Sequence, residues 1–529
     1  MAEVVVKKSN KLGGKIWFSI VLFGLMGQLA WMVENVYFST YIQKMITTDT
    51  WATSATVAAS AVVAALVTIF GGVLSDRLGK RKVFVCWGYI IWGAVTAAFG
   101  LFDTASRDNI IALVVIFVVM DCVMTVFGSM SNDAAFSSWV TDVTDITNRG
   151  FVEVILSIMP VAALMLIFVV FDPLTLPKYT DGELTRSAMW WLFFLILGGL
   201  TAISGVIGLF TLKDSPRLKP DRSGKYIQEV AYGFKPKNIK KHKMIYICLI
   251  GMMFSGLAMQ LWQPQMIMLM QYTVGFEDGY VIPLAVVVLL SAGLAVVGGK
   301  LMDKYGKDKF FYPVAVMGVL GGILVYIIKF TNCNPVWRYV LFILGGTMIE
   351  GASLLAAALF NATARDYTPE EKAGCFQGIR IIIFVMLPMI IGAIVNPLVV
   401  NGFGPVIDGF GKSPASGYIV LNQLIDANTG KPIGYDLGDT VYPFEMFLFS
   451  SLAAAFVFIP AVIVKKENKK FRQQKLAELN AEVVGDIQVE QTESITEQSD
   501  GQTATTETRL EEQTEKETPE NGTTEEQTK

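Results

Sequence analysis

The chain has 529 residues, 53% of them hydrophobic and 17% charged, with a mean hydropathy of +0.49. Soluble domains carry nearer a quarter charged residues, so a water-soluble globular protein is excluded. The net charge of −3 is misleading, because an acidic C-terminal tail conceals a basic set of loops.

Taken in chain order, apolar stretches of about 20 residues recur, the length needed to cross ~30 Å of hydrocarbon at about 1.5 Å per residue. They predict helices at 16–42, 51–74, 83–102, 109–139, 151–172, 188–212, 245–272, 280–299, 310–330, 337–363, 374–399 and 442–464. The first run is too long for the core of a signal peptide and is read as a first span. The expected class is an all-α membrane protein of twelve spans. Its organisation reads as an N-terminal six-helix bundle over 1–212, a polar linker over 213–244 and a C-terminal six-helix bundle over 245–465. A Glu/Gln/Thr-rich acidic tail over 466–529 follows, expected to be disordered because it lacks apolar surface to bury. The loop 401–441, rich in Gly, Pro and Asn, reads either as a partly ordered lid or as solvated chain. The five cysteines (Cys86, Cys122, Cys248, Cys333, Cys375) are scattered, which supports neither a disulfide frame nor a metal site.

Lysine and arginine fall on alternate loops. One side holds Lys7, Lys8, Lys11 and Lys15, then Arg77, Lys80, Arg81 and Lys82, then Lys300, Lys304, Lys307 and Lys309, with the linker and the Lys465–Lys470 cluster. The other side holds scattered single charges. By the positive-inside rule both termini are expected in the cytoplasm of a multi-pass protein of the cell membrane.

The two halves repeat. Gly72-Val-Leu-Ser-Asp76-Arg-Leu-Gly79-Lys returns as Gly299-Lys-Leu-Met-Asp303-Lys-Tyr-Gly306-Lys at an offset of 227 residues. Leu29-Ala30 with Asn35 returns as Leu257-Ala258 with Gln263 at 228. Asp142-Val-Thr144 with Gly150 and Glu153 returns as Asp366-Tyr-Thr368 with Gly374 and Gln377 at 224. Parallel repeats about an axis along the membrane normal, with the solute site midway between them, are one of the standard transporter architectures.

The Gly-x-x-x-Asp-Arg/Lys-x-Gly-Lys loops resemble the signature of the major facilitator superfamily, which implies two pseudo-symmetric six-helix bundles working by alternating access. Thr141-Asp-Val-Thr-Asp145 with Asn148-Arg149-Gly150 is similar to the glycoside–pentoside–hexuronide:cation symporters and sucrose transporters. Gly27-Gln28-Leu-Ala-Trp31 is similar to the sucrose branch. In the superfamily, the first, fourth, seventh and tenth helices line the central cavity. The resemblance also implies that Asp76, Arg77, Arg81 and Asp303, joined by Arg149 and Glu153, hold the cytoplasmic side shut in one state. A solvated charged loop that only sets topology is the plainer reading of the same residues.

Ionisable and amide side chains are costly in a bilayer, so each is a candidate for function. On the first helix Gln28, Trp31 and Asn35 share a stripe, with Glu34 at its edge. Rings beside amides suit a sugar, although amides also bind helices to one another. On the fourth helix Asp121 stands ~18 Å from the outer end, with Asn132 and Asp133 nearer the cytoplasm. Glu34, Asp121 and Asp133 are the candidates for coupling to a cation, and Gln28, Trp31, Asn35, Asn132, Gln260, Trp262 and Gln263 for binding solute. Pro264 is expected to interrupt the seventh helix. Glu350 and Arg380 are expected to pair, as an inner gate or as a static brace. Trp87, Trp92, Trp190 and Trp191 are expected in the interfacial aromatic belts.

The second helix carries no carboxylate between Ala55 and Phe70, unlike the sodium-coupled members of the family, which favours proton coupling or facilitated diffusion over sodium coupling. The single histidine, His242, lies in the linker. The partners implied are a small solute such as a sugar, a proton or other monovalent cation, and the lipid bilayer. No cofactor and no nucleic acid are implied, and no phosphate loop, nucleophile motif or metal spacing points to an enzyme. An exporter of drugs or metabolites, and a non-transporting sensor or scaffold that uses the tail, are the rival readings.

Overall fold

A computed structural model describes residues 12–47, 49–104, 109–144, 149–180, 183–214, 234–330, 335–368, 376, 379–403, 422–425, 432–436 and 443–467. In hydrocarbon each backbone N–H and C=O needs an internal partner, so the apolar stretches become helices. The N-terminal set is α1 (Gly14–Ile46), α2 (Thr50–Leu78), α3 (Arg81–Asp103), α4 (Ile110–Val143), α5 (Arg149–Leu166, continuing to Leu174) and α6 (Trp190–Thr211). The C-terminal set is α7 (Lys243–Thr273), α8 (Val281–Tyr305), α9 (Phe311–Phe330), α10 (Pro335–Asp366), α11 (Ile381–Met386, continuing as Leu387–Phe403) and α12 (Glu445–Glu467). Among the described residues eleven are long and apolar enough to span, and α5 has a shorter apolar stretch, Ile158–Leu174. Polar side chains inside the spans often satisfy themselves on their own helix, as Thr56 does on Ala52 O, Thr96 on Trp92 O and Thr363 on Leu359 O.

Several spans widen locally to π-helix: Val33–Tyr37 and Ile42–Ile46 in α1, Ser129–Phe136 in α4, Ile167–Phe171 in α5, Leu269–Thr273 in α7 and Ile381–Met386 in α11. Such widenings turn side chains that a regular helix would leave on another face, and they gather at functional sites. Here they coincide with Glu34, Asn132 and Asp133.

Two helix pairs approach at backbone distance. A Cβ on Gly93 of α3 would lie 2.8 Å from Ala202 Cα of α6, and one on Gly321 of α9 would lie 2.8 Å from Gly345 O of α10. The outward faces stay apolar, with Phe210 78% and Ile282 71% exposed to what the bilayer fills. Between the halves α2 packs on α11, α5 on α8 and α1 on α7. The first two pairs are each other's equivalents under the repeat.

A hairpin of β1 (Lys178–Thr180) and β2 (Glu183–Arg186) joins α5 to α6. A second, of β3 (Asn422–Ile425) and β4 (Pro432–Asp436), lies in the 401–441 loop, pairs Gln423 with Tyr435, and sets β4 against the Ile42–Ile46 end of α1. The remainder of that loop, most of the linker and the tail beyond 467 lie outside the described residues. Within the linker a short helix spans Pro236–Lys241. Residues from 465 onward form a unit of their own.

The tryptophan expectation needs correcting. Trp87 and Trp191 do face outward, 54% and 47% exposed, but Trp92 and Trp190 are fully buried. Trp190 packs among Tyr37, Tyr41, Phe193 and Phe194. Adjacent residues on a helix point about 100° apart, so a position near a helix end does not decide which face a ring takes. Cys86, Cys122 and Cys248 are free thiols, while Cys333 and Cys375 lie outside the described residues.

Candidate functional site

In the N-terminal half, Glu34 and Asp121 come together. Glu34 sits on the widened turn of α1, and Thr125 of α4 donates to its Oε1 at 3.2 Å. Thr125 lies one turn beyond Asp121 and also reaches Asp121 O at 2.9 Å. The Ser60 hydroxyl of α2 lies beside both carboxyls and bonds Val57 O at 3.3 Å. All four residues are buried. Glu34 Oε2 and both oxygens of Asp121 have no hydrogen-bond partner among the described residues. No described group of three His, Cys, Asp or Glu side chains has metal-binding geometry. Two acids in one dry place without a cation cannot both hold a full charge cheaply.

Toward the end of the bundle that carries Arg77–Lys82, here called the basic end, lies a second polar set. Asn132 Nδ2 donates to Asp133 Oδ1 at 3.1 Å, and Asn132 Oδ1 accepts from the Tyr89 hydroxyl of α3 at 2.8 Å. Ser129 and Trp31 flank Asp133. Trp31 packs on Trp92 with ring centroids 5.1 Å apart. Gly27 is where Asn132 and Tyr89 press against α1, and a Cβ there would overlap both. Of the other solute candidates on α1, Asn35 gives its Nδ2 to its own helix at Trp31 O, 2.8 Å away, and Gln28 is half-buried.

In the C-terminal half α7 is interrupted. Its regular helix ends at Gln260, a 3-10 turn covers Gln263–Gln265 around Pro264, and helix resumes at Met266. Trp262 lies in the gap, buried, with its ring 5.9 Å from Phe447 and its Nε1 without a partner among the described residues. Gln260 and Gln263 are half-buried. The Gln263–Gln265 turn packs against Val33–Tyr37 of α1. The interruption of α7 thus meets the widened turn that carries Glu34.

The halves are joined at the end opposite the basic one. Asp172, at the end of α5, is buried and accepts from the Tyr37 hydroxyl of α1 at 2.9 Å and from the Tyr280 hydroxyl before α8 at 2.7 Å. Tyr37 belongs to the same half as Asp172, whereas Tyr280 belongs to the other. Beside them Lys44 Nζ donates to Gln271 Oε1 at 2.7 Å and lies 5.9 Å from the Tyr272 ring.

At the basic end the ion pairs among the described residues stay within each half. Arg81 Nε meets Asp142 Oδ2 at 3.2 Å and Nη1 donates to Ser75 Oγ. In the other half Lys307 pairs with Asp366. Asp142 and Asp366 are the residues matched at offset 224, so the repeat read in the sequence recurs as equivalent ion pairs. Arg81 was expected to help hold the cytoplasmic side shut; its two described partners, Ser75 and Asp142, lie on its own half. Arg77 is exposed. The side chains of Asp76, Arg149, Glu153 and Asp303 lie outside the described ones.

The expected Glu350–Arg380 pair is also corrected. Among the described residues no ion pair joins them, and the Arg380 guanidinium lies 5.9 Å from the Phe384 ring. Matching depth along the membrane was the basis for that pair, and depth says nothing about direction around the helix axis. Asp172, Tyr280, Ser60, Thr125 and Asn396 were not singled out in the sequence. The one signal available was a lone Asp or Asn before a proline, at Asp172-Pro173 near the end of an apolar run and at Asn396-Pro397 inside one.

Residues 16–393 match the model of the Major Facilitator Superfamily, and the chain belongs to that family of membrane transporters. No curated protein matches the chain. Among solved structures it is similar to a bacterial homolog of the human lysosomal transporter Spinster, inward-facing and unoccupied. That match has 14% identity and a TM-score of 0.61, over 88% of this chain and 99% of that one. It is similar as well to the nucleoside transporter NupG, with 12% identity and a TM-score of 0.55 over 84% and 97%. A D-xylose-proton symporter gives 13% identity and a TM-score of 0.58 over 84% and 96%. Identities this low show the shared fold of two six-helix bundles and nothing about solute.

Proposed function

We propose that the chain is a secondary active transporter that moves a sugar or glycoside together with a proton by alternating access. The observation that carries this reading is the buried pair Glu34 and Asp121, held on α1 and α4 with Ser60 and Thr125 and with three carboxyl oxygens unpartnered. A proton fits such a place better than sodium, since α2 contributes a hydroxyl there and no carboxylate. Asp133 is the step between the pair and the basic end.

The solute would lie between the halves. Gln28, Trp31, Asn35 and Asn132 would meet it from 1–212, and Gln260, Trp262 and Gln263 from 245–465. Aromatic faces with amides beside them suit a hydroxyl-rich ring, which favours sugar uptake over export of apolar compounds. The basic loops place both termini in the cytoplasm. On that orientation the Tyr37–Asp172–Tyr280 contacts would close the outer side, and Arg81–Asp142 and Lys307–Asp366 would brace the inner ends of the two bundles.

Uptake of radiolabelled disaccharides into energised vesicles, with and without a proton gradient, tests this. Uptake that rises with the gradient is expected. Absence of uptake in both conditions refutes the sugar reading, and uptake indifferent to the gradient refutes the coupling.

A further inference from the structure

Proline at 264 has a definite consequence one turn back. In an unbroken helix residue 264 would donate its N–H to the carbonyl of residue 260, and proline has no N–H to give. A carbonyl left without a donor at membrane depth is expensive. The chain brings that donor from another helix. Asn396 of α11 places Nδ2 3.1 Å from Gln260 O and 3.3 Å from Gln265 Oε1. One buried amide therefore spans the interruption, from the last residue of the regular helix to the far end of the 3-10 turn. Gly392 lies one turn earlier on the same face of α11. A Cβ there would come 2.9 Å from Gln260 Cβ and 3.1 Å from Gln260 O, so the close approach that lets Asn396 reach needs a glycine at 392. The two residues that follow Gln260 include Trp262, whose buried indole Nε1 has no partner among the described residues, as is also true of the buried Oδ1 of Asn396.

We propose that Asn396 is a positioning residue for the solute site: it stands in for the helix bond that Pro264 removes, and so fixes the direction in which Trp262 and Gln263 are presented. The role assigned to those two side chains rests on the solute-binding reading above, while the brace itself does not.

The test is a double-mutant cycle of Asn396→Ala and Pro264→Ala on the full chain in lipid nanodiscs. Pro264→Ala restores the missing N–H. Asn396→Ala alone is expected to lower the thermal midpoint by several degrees, and in the Pro264→Ala background to lower it little. Asn396→Leu, similar in size and without a donor, should fare no better than Ala. Equal losses in the two backgrounds would overturn the brace. Positioning is read from a Gln263→Cys chain without other cysteines, whose rate of alkylation by a soluble maleimide should change severalfold when Asn396→Ala is added. An unchanged rate would overturn the positioning role. Neither readout needs a known solute, so a failure of the sugar reading shows separately, as absence of radiolabelled sucrose uptake by the unmodified chain. Where uptake is present, Asn396→Ala should raise KM more than it lowers the maximal rate.

Discussion

Replacing Tyr280 by Phe removes one hydroxyl and leaves the ring. The ring's contact with Phe168, 6.2 Å between centroids, survives, and Asp172 keeps its bond from Tyr37 at 2.9 Å and a longer one from Thr175 at 3.4 Å. What is lost is the 2.7 Å bond that crosses between halves. That bond exists only while the two halves meet at this end, so its whole value falls on the equilibrium between the closed and open forms. A hydrogen bond to a carboxyl contributes about 1–3 kcal/mol, which corresponds to roughly a 5–150-fold shift toward opening. Tyr37→Phe is the internal control. It removes a bond of similar length to the same carboxyl, but within one half, where both forms keep it, and the equilibrium should barely move. Spin labels on Lys178, outside α5, and Val336, at the exposed start of α10, place one probe on each half. The long-distance population should grow in Tyr280→Phe and stay near wild type in Tyr37→Phe. Equal populations in Tyr280→Phe and wild type, or equal growth in both variants, would refute the account of Asp172 as a state-selective contact.

Asp121→Asn and Glu34→Gln should each abolish gradient-driven uptake in proteoliposomes while sparing solute exchange. Asp121→Asn should not lower the thermal midpoint, since the carboxyl it replaces has no hydrogen-bond partner among the described residues. Arg81→Ala strands buried Ser75 as well as Asp142 and should lower stability by about 1–3 kcal/mol. Lys307→Ala breaks a more exposed pair, with Asp366 47% exposed, and should lower it by only about 0–1 kcal/mol; unfolding midpoints of the two variants decide. Gly93→Leu drives a side chain into the α6 backbone and should abolish folded yield, with Gly93→Ala intermediate, as size-exclusion recovery would show. His242 is held below its ordinary value of 6.5, first by burial and then by the charge of Lys241. Below that value the unfolded chain binds the proton more readily than the folded one, so stability should fall as the pH drops from ~7 to ~5.5. His242→Gln should remove that slope, measured as thermal midpoint against pH.

Much was legible before any coordinates. Twelve helices were legible because hydrocarbon leaves the backbone no other way to satisfy itself, and each predicted span recurs within a few residues. The duplication was legible because similar chemistry was kept at nearly equal offsets, as Asp142 and Asp366 show by each pairing with a basic residue at or just past the end of its signature loop. The meeting of Glu34 with Asp121 was half legible: both were marked as misplaced acids, and their contact was not foreseen.

What only the tertiary structure decided was direction. Trp190 and Trp191 are neighbours in sequence, yet one is buried and the other faces outward. Glu350 and Arg380 were matched by depth, yet no ion pair joins them among the described residues. Asp172 was not singled out in the sequence, and it holds two tyrosines, 135 residues before it and 108 after. Depth along the membrane follows from a constant rise per residue and can be counted along the chain. Azimuth depends on which helix packs beside which, on π-turns that shift the register of every side chain beyond them, and on glycines that let two backbones touch. These are properties of pairs of helices, and a single strand of sequence does not state them.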